Sequence, residues 1–265
     1  MNRASGKIIY RDHYQNHLIE IIEKGDSRSL YFGGNVLQST MSISAPHHLV
    51  LSYTRFMMAT LLFINPPRRV LLIGVGAGSL IRFIHHHFSS CVIDGVDFSP
   101  DIIKLARGYF NLPNSRNISL HCGDGHEFLA QLNAETYDLI LIDAFDHRGM
   151  ALSVYCSDFF EHCLHHLEDN GIVSLNLWSG NEAKMDRVQT DLKRYFGSCI
   201  TLPVPERGNV ICLAGKSRNM TAIMEQDYTE LSRMSAEFNI NFRQIVKVFI
   251  KQNLGYRQRI ARFFS

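Results

Sequence analysis

A doubly wound α/β fold is what this sequence predicts, and three observations carry the prediction. The first is Arg69-Val-Leu-Leu-Ile-Gly-Val-Gly-Ala-Gly-Ser-Leu80, which reads as a buried strand, a glycine turn and the start of a helix continuing through Ile81, Ile84 and Phe88. The second is a series of further apolar runs, Cys91 to Asp97, Ile118 to Cys122 and Tyr137 to Ile142, separated by helical patterns. The third is what stands at the end of each run. Gly74, Gly76 and Gly78 follow the first strand, Asp97 ends the second, Gly123-Asp-Gly125 follows the third, and Asp143 and Asp146 follow the fourth. Ligands in open α/β sheets bind outside the carboxyl ends of the strands. Any one of these acids is more often a turn residue or helix N-cap; four consecutive strand ends bearing Gly or Asp point to a ligand site.

The order of elements follows from local pattern. Lys7 to Tyr10, Leu18 to Lys24 and Ser29 to Phe32 read as short strands separated by turns at Gly25-Asp26 and Gly33-Gly34-Asn35, giving a small antiparallel sheet. An apolar helix over about Leu49 to Phe63 is stopped by Asn65-Pro66-Pro67. The α/β core runs from Arg69 to about Ala214, its later strands being Gly171 to Trp178, Cys199 to Pro203 and Asn209 to Ala214. The last two form an antiparallel edge of the kind common in methyltransferase-like sheets. The tail reads as helices over Thr221 to Phe238 and Phe242 to Lys251, followed by Arg257, Arg259, Arg262, Phe263 and Phe264. A helix packed on the core or a partner is favoured there over a membrane-surface helix. The expected division is a β domain over 1–55, a class I methyltransferase-like Rossmann-type domain over 56–215 and a helical extension over 216–265.

Composition narrows the function classes. The chain has 265 residues, 46% of them hydrophobic, enough to bury a full core. A net charge of +2 gives no argument for a nucleic-acid partner. The amino terminus has no apolar signal core, and no apolar stretch is long enough to span a bilayer. The expectation is a cytoplasmic protein with no nucleic-acid or membrane partner. The six cysteines form no Cys-x-x-Cys pair and read as free thiols. His85-His86-His87 reads as a solvated helix end, and His162, His165 and His166 as surface residues on one helix rather than a metal site.

The ligand is a nucleoside by this reading. Position 79 is Ser, so Gly-x-Gly-x-Gly departs from the dinucleotide pattern, and pyrophosphate binding is disfavoured. An S-adenosylmethionine-type site fits the acids better, with Asp97 on the ribose hydroxyls and Asp124 on the adenine amino group.

From Tyr14 to about Ala214 the chain resembles the spermidine synthase family of polyamine aminopropyltransferases. The resemblance lies in Tyr14-Gln15, Gly34-Asn-Val-Leu-Gln38, Tyr53, the glycine turn, Gly123-Asp-Gly125, Tyr137 to Asp143, and Pro205-Glu-Arg-Gly-Asn-Val-Ile-Cys-Leu213. It implies that Asp143 is the catalytic base, that Tyr53 and Asp146 hold the amine acceptor, and that Gln38 lies near the cofactor. It further implies decarboxylated S-adenosylmethionine as co-substrate, no metal, and a homodimer. The chain departs from the family pattern in three places. Ala77 stands where the glycine turn usually carries an acid, Thr54 where Gln follows the pocket tyrosine, and Met41 to Val50 contains no acid ahead of it. A polyamine is a multiple cation, costly to desolvate without paired carboxylates. Three function classes therefore stay open: an aminopropyltransferase, a methyltransferase using intact S-adenosylmethionine, and a non-catalytic nucleoside-binding protein.

Overall fold

A computed structural model describes residues 6–14, 17–33, 36–146, 149–216 and 227–254; the side chains of Tyr14, Asp146 and Leu152 lie outside what it describes. Gln15, the Gly34-Asn35 turn, the start of the expected helix at Thr221 and the arginines and phenylalanines of the final stretch also fall outside the described residues.

The chain opens with a four-stranded antiparallel meander, β1 (Lys7–Tyr14), β2 (His17–Lys24), β3 (Ser27–Phe32) and β4 (Val36–Ser42). Sequence pattern anticipates the first three strands but not β4. Its Gln-Ser-Thr run is polar, yet Ser39 and Thr40 are buried, with Thr40 Oγ1 hydrogen-bonded to Ser29 Oγ across the sheet. Leu37 faces Tyr31 and Ser39 faces Leu30, so Gln38 is the extra residue of a β-bulge. A bulge re-aims the side chain it carries.

The expected helix over 49–63 is shorter and broken. It begins as α1 (Ser52–Met57) and tightens into a 3₁₀ segment, Met58–Leu62, which is wholly buried.

The main sheet has seven strands: β5 (Arg69–Ile73), β6 (Val92–Asp97), β7 (Ile118–Cys122), β8 (Tyr137–Ile142), β11 (Leu167–Trp178), β12 (Ile200–Pro203) and β13 (Asn209–Gly215). Between β8 and β11, β9 (Phe145–Asp146) and β10 (Gly149–Met150) make a two-stranded ribbon. Sheet order is β12-β13-β11-β8-β5-β6-β7. The strands from β11 to β7 are parallel, and β13 runs antiparallel between β11 and β12. The crossovers are α2 (Ser79–His87), α3 (Pro100–Tyr109), α4 (Gly125–Gln131), α5 (Ser157–His165) and α6 (Glu182–Phe196), and the tail forms α7 (Tyr228–Phe238) and α8 (Phe242–Asn253). None of the described helices is long and apolar enough to cross a membrane.

Strand alternation divides the core. Val70, Leu72, Leu139 and Leu141 pack on one face of the sheet, with α2, α7 and α8. Leu71, Ile73, Ile140 and Ile142 pack on the other, with α5 and α6. A third cluster joins the amino-terminal sheet to this core: Ile19, Ile21, Leu30 and Met41 meet Ala77, Ile102, Leu105 and Phe110. The meander therefore sits against the glycine turn and α3. Arg82, buried and without a carboxylate partner among the described residues, braces the same corner by donating to the carbonyls of Pro46, Ala77 and Phe110. The tail helices lie on the core. Asn253 of α8 clamps Thr201 of edge strand β12, accepting from its N–H and donating to its C=O, both at 2.9 Å.

Two groups of histidines differ from expectation. His87 is only half-exposed, wedged against Phe83 and Phe238, and His47 stacks on His86 at 3.6 Å between ring centres. The helix end is therefore an aromatic cluster rather than a solvated turn, because α7 and the 45–48 turn pack over it. His166 is buried, with Nδ1 2.8 Å from the Glu135 carbonyl. The cysteines are free thiols, three of them buried.

Candidate active site

A cavity of about 1020 Å³ opens over the carboxyl ends of β5, β6 and β8 and extends under the amino-terminal sheet. Gln38, Tyr53, Gly74, Gly76, Asp97, Asp124 and Asp143 all line it. Gly78 does not: it is the left-handed N-cap of α2 (φ 75°), and a Cβ there would strike Leu112. Asp146 pairs through its backbone with Gly149.

The glycine turn permits close approach of two strands. Gly74 has φ 91°, a region L side chains avoid, and a Cβ there would collide with the backbone carbonyl of Asp143. Its glycine lets β5 and β8 end side by side, with the Asp143 N–H donating to Ile73 O at 2.8 Å.

Asp97 organises that turn. Its Oδ2 accepts from the N–H of Val75 at 2.9 Å and of Gly76 at 3.3 Å, and Oδ1 accepts from Ser99 N–H at 3.0 Å. A carboxylate offers about four lone-pair positions, so room remains for a ligand hydroxyl. Burial pushes this carboxyl above its ordinary value, opposed by the three backbone donors. Asp124 caps α4, accepting from His126 and Glu127 N–H with Oδ1 alone.

Asp143 is held from two sides. Tyr53 of α1 donates its hydroxyl to Oδ2 at 3.1 Å, and Asn176 of β11 donates its amide to Oδ1 at 2.8 Å. Desolvation raises this carboxyl, the two donors oppose the rise, and Asp97 adds to it. Tyr53 is itself pushed well above the ordinary tyrosine range by burial and by Asp143, so it is a donor, not a base. Asn176 is fixed in turn. Its backbone carbonyl accepts from Tyr155 Oη at 3.0 Å, and its Oδ1 accepts from Asn209 Nδ2 at 2.9 Å. Asn209, Glu206, Phe98 and Trp178 complete the wall. Trp178 is 49% exposed, with its indole lying so close over Gly180 and Gly208 that a Cβ at either would strike it. The sequence alone does not show whether Asn176, Trp178 and Ser179 line the pocket, and it gives no sign of Asn209, whose partner lies on another strand.

Such a cleft, lined by strand-end glycines and acids at the carboxyl edge of a methyltransferase-like sheet with a doubly held carboxylate facing it, has the form of a small-molecule site in an open α/β sheet. A model of the spermine/spermidine synthase domain matches residues 50–226. The polyamine aminopropyltransferase of Chromobacterium violaceum is 33% identical over 229 residues, covering 86% of this chain and 87% of that protein. This chain belongs to the spermine/spermidine synthase family, a family of transferases. Among solved structures, a probable spermidine synthase from Corynebacterium glutamicum superposes with a TM-score of 0.74 at 18% identity, covering 87% of each chain. A spermidine synthase in complex with the transition-state analogue AdoDATO superposes with a TM-score of 0.70 at 17% identity, covering 97% of this chain and 89% of the other. At those identities the superpositions establish the fold.

Proposed function

We propose that this protein transfers an aminopropyl group from decarboxylated S-adenosylmethionine to a small amine acceptor such as putrescine, releasing methylthioadenosine. The observation that carries the reading is the placement of Asp143. It faces the cavity at the tip of the strand beside the glycine turn, oriented through both oxygens. The relative that binds AdoDATO shares this fold, and the family assignment supplies the reaction class.

The donor supplies a carbon activated by an adjacent sulfonium. The acceptor nitrogen attacks that carbon, a C–N bond forms, and the C–S bond breaks with its electron pair passing to sulfur. The leaving thioether is neutral and needs no acid. The attacking amine must shed a proton, and Asp143 accepts it. A raised carboxyl suits a base that works near neutral pH. Tyr53 orients Asp143 and forms one wall of the acceptor site, and by family resemblance Asp146 shares in holding the amine. Asp97 accepts a ribose hydroxyl, Asp124 takes the adenine amino group through the oxygen its cap leaves over, and Gln38 reaches the nucleoside from the bulge in β4. Gly74 and Gly76 give the donor close backbone approach, while Gly78 acts by shaping the turn.

One observation favours a second reading. Ala77 is buried among Ile102, Leu105 and Phe110, so the glycine turn presents no carboxylate to a donor's amino group. A donor retaining its own carboxylate then meets no like charge, which favours intact S-adenosylmethionine and methyl transfer. Methylthioadenosine release from the decarboxylated donor, assayed across a panel of diamines, tests the first reading, and absence of turnover with every acceptor sinks it. Calorimetric preference for intact S-adenosylmethionine would support the second. The same proposal places the enzyme in the cytoplasm as a homodimer, the exposed edges of the amino-terminal sheet being covered by a second copy. Sedimentation at micromolar concentration as a monomer would contradict that.

A further inference from the structure

The row Asn209–Asn176–Asp143–Tyr53 spans four elements and ends on the carboxylate just assigned as base. An asparagine amide can face a neighbour with either its oxygen or its nitrogen. Facing a carboxylate, only the nitrogen is favourable. Nothing about Asn176 alone enforces that choice, since Asp143 when protonated would accept the opposite orientation, offering its proton to the amide oxygen. Asn209 weights the choice. With its Nδ2 turned to Asn176 Oδ1 at 2.9 Å, it supplies the donor that this orientation of Asn176 needs. Tyr155 pins the Asn176 backbone from the other side at 3.0 Å. With the oxygen engaged, Asn176 can turn only its nitrogen to Asp143.

We propose that Asn209 is a positioning residue: it locks the Asn176 amide so that Asn176 donates to Asp143, which keeps that carboxylate ionised and aimed at the acceptor. The inference rests on Asp143 being the base. Hydrogen bonding to the charged form of an acid lowers its pKa, and a buried site without such donors raises it. Among the described residues, the titratable groups that face Asp143 are Tyr53 on α1, Tyr155 ahead of α5 and Asp97 on β6. The tyrosines stay neutral, and Asp97 pushes Asp143 upward. The Asn176 amide, held by Asn209, is therefore the chief counterweight besides the Tyr53 hydroxyl. Asn209 begins β13 directly opposite Trp178, so the lock is set by the antiparallel register of β11 and β13.

The test uses Asn209→Leu, which keeps the side chain's size and removes its amide, and Asn209→Ser, a smaller change that also removes it. Asp143 is followed by NMR in protein carrying ¹³C at the aspartate carboxyls, its signal assigned by its loss in Asp143→Asn. This readout needs no turnover. Both Asn209 variants should move the Asp143 titration up by about one pH unit. The acid limb of the pH–rate profile should move with it, so that turnover on that limb falls about tenfold. An Asp143 titration unmoved in both variants overturns the proposal, whatever happens to the rate. If the titration moves while the acid limb stays, the lock stands and it is Asp143's role as base that falls.

Discussion

The Tyr53 hydroxyl donates to Asp143 Oδ2 across 3.1 Å, joining the helix that follows the amino-terminal sheet to the tip of the central strand. The two residues are 90 positions apart in the chain. This contact makes the orientation of the carboxylate depend on how the 49–57 segment is seated. Tyr53→Phe removes the hydrogen bond and keeps the ring. Losing a donor to the ionised form raises the acid's pKa, so the rate should begin to fall at a higher pH as pH is lowered. The expected shift is about one unit in the acid limb of kcat. An unchanged limb would show that Tyr53 only shapes the wall.

Asp143→Asn separates catalysis from stability. The variant retains shape and loses the proton acceptor, so turnover should drop about 10²–10⁴-fold while methylthioadenosine binding changes little. Stability should respond in the opposite sense. Asp143 has a higher pKa folded than unfolded, so the folded state holds its proton more tightly. Stability is then lost as pH rises from the ordinary carboxylate value through the raised one, and at pH 7 the ionised group is a net cost. Asparagine removes that cost and can still accept from Asn176 and pair with Tyr53. The melting temperature at pH 7 should therefore hold or rise. A large fall in it would mean that the charge itself stabilises the fold.

What was legible in the chain follows from how each signal is encoded. The sheet core is written locally: Leu139-Ile-Leu-Ile142 is an unbroken apolar run because both faces of a parallel strand are covered. Asp143 was legible because it directly follows that run. Strand β4 was not, since its polar Ser39 and Thr40 are buried by hydrogen bonds to partners elsewhere in the chain, Ser79 and Ser29. Asn209 was not, since its role exists only through the register that sets it beside Asn176. The histidine cluster was hidden for the same reason, its burial depending on α7, far along the chain.

Asp97→Ala should weaken nucleoside binding by two routes. One hydrogen bond to a charged group is lost, about 1.5–3 kcal/mol. The backbone N–H groups of Val75 and Gly76 also lose their acceptor, so the turn itself loosens. Calorimetry with methylthioadenosine should show the weakening, and the ligand-free protein should also melt at a lower temperature. Weaker binding with an unchanged melting temperature would assign Asp97 to the ligand alone. Unchanged affinity would place the ribose elsewhere.

His87 makes the fold sensitive to mild acid. Its ring centre lies 4.6 Å from that of Phe83 and 5.0 Å from that of Phe238, and its Nε2 has no hydrogen-bond partner among the described residues. Burial first, then His86, His47 and His48, push its pKa from 6.5 down to about 4. The neutral imidazole is therefore the folded form, whereas the unfolded chain takes up a proton near its ordinary value. With the folded pKa below the unfolded one, stability contributed at pH 7 declines as pH falls from about 6.5 toward about 4. The neighbours reinforce the effect: His47, stacked on His86 at 3.6 Å, is also depressed by burial and by the other rings. Protonating one histidine of this group opposes protonation of the next. The melting temperature should drop between pH 7 and pH 5, and His87→Phe, which fills the same space between α2 and α7, should flatten that dependence while leaving a residual slope from His47. Parallel melting curves for the two proteins across this range would mean that the His87 ring takes up its proton without leaving its place.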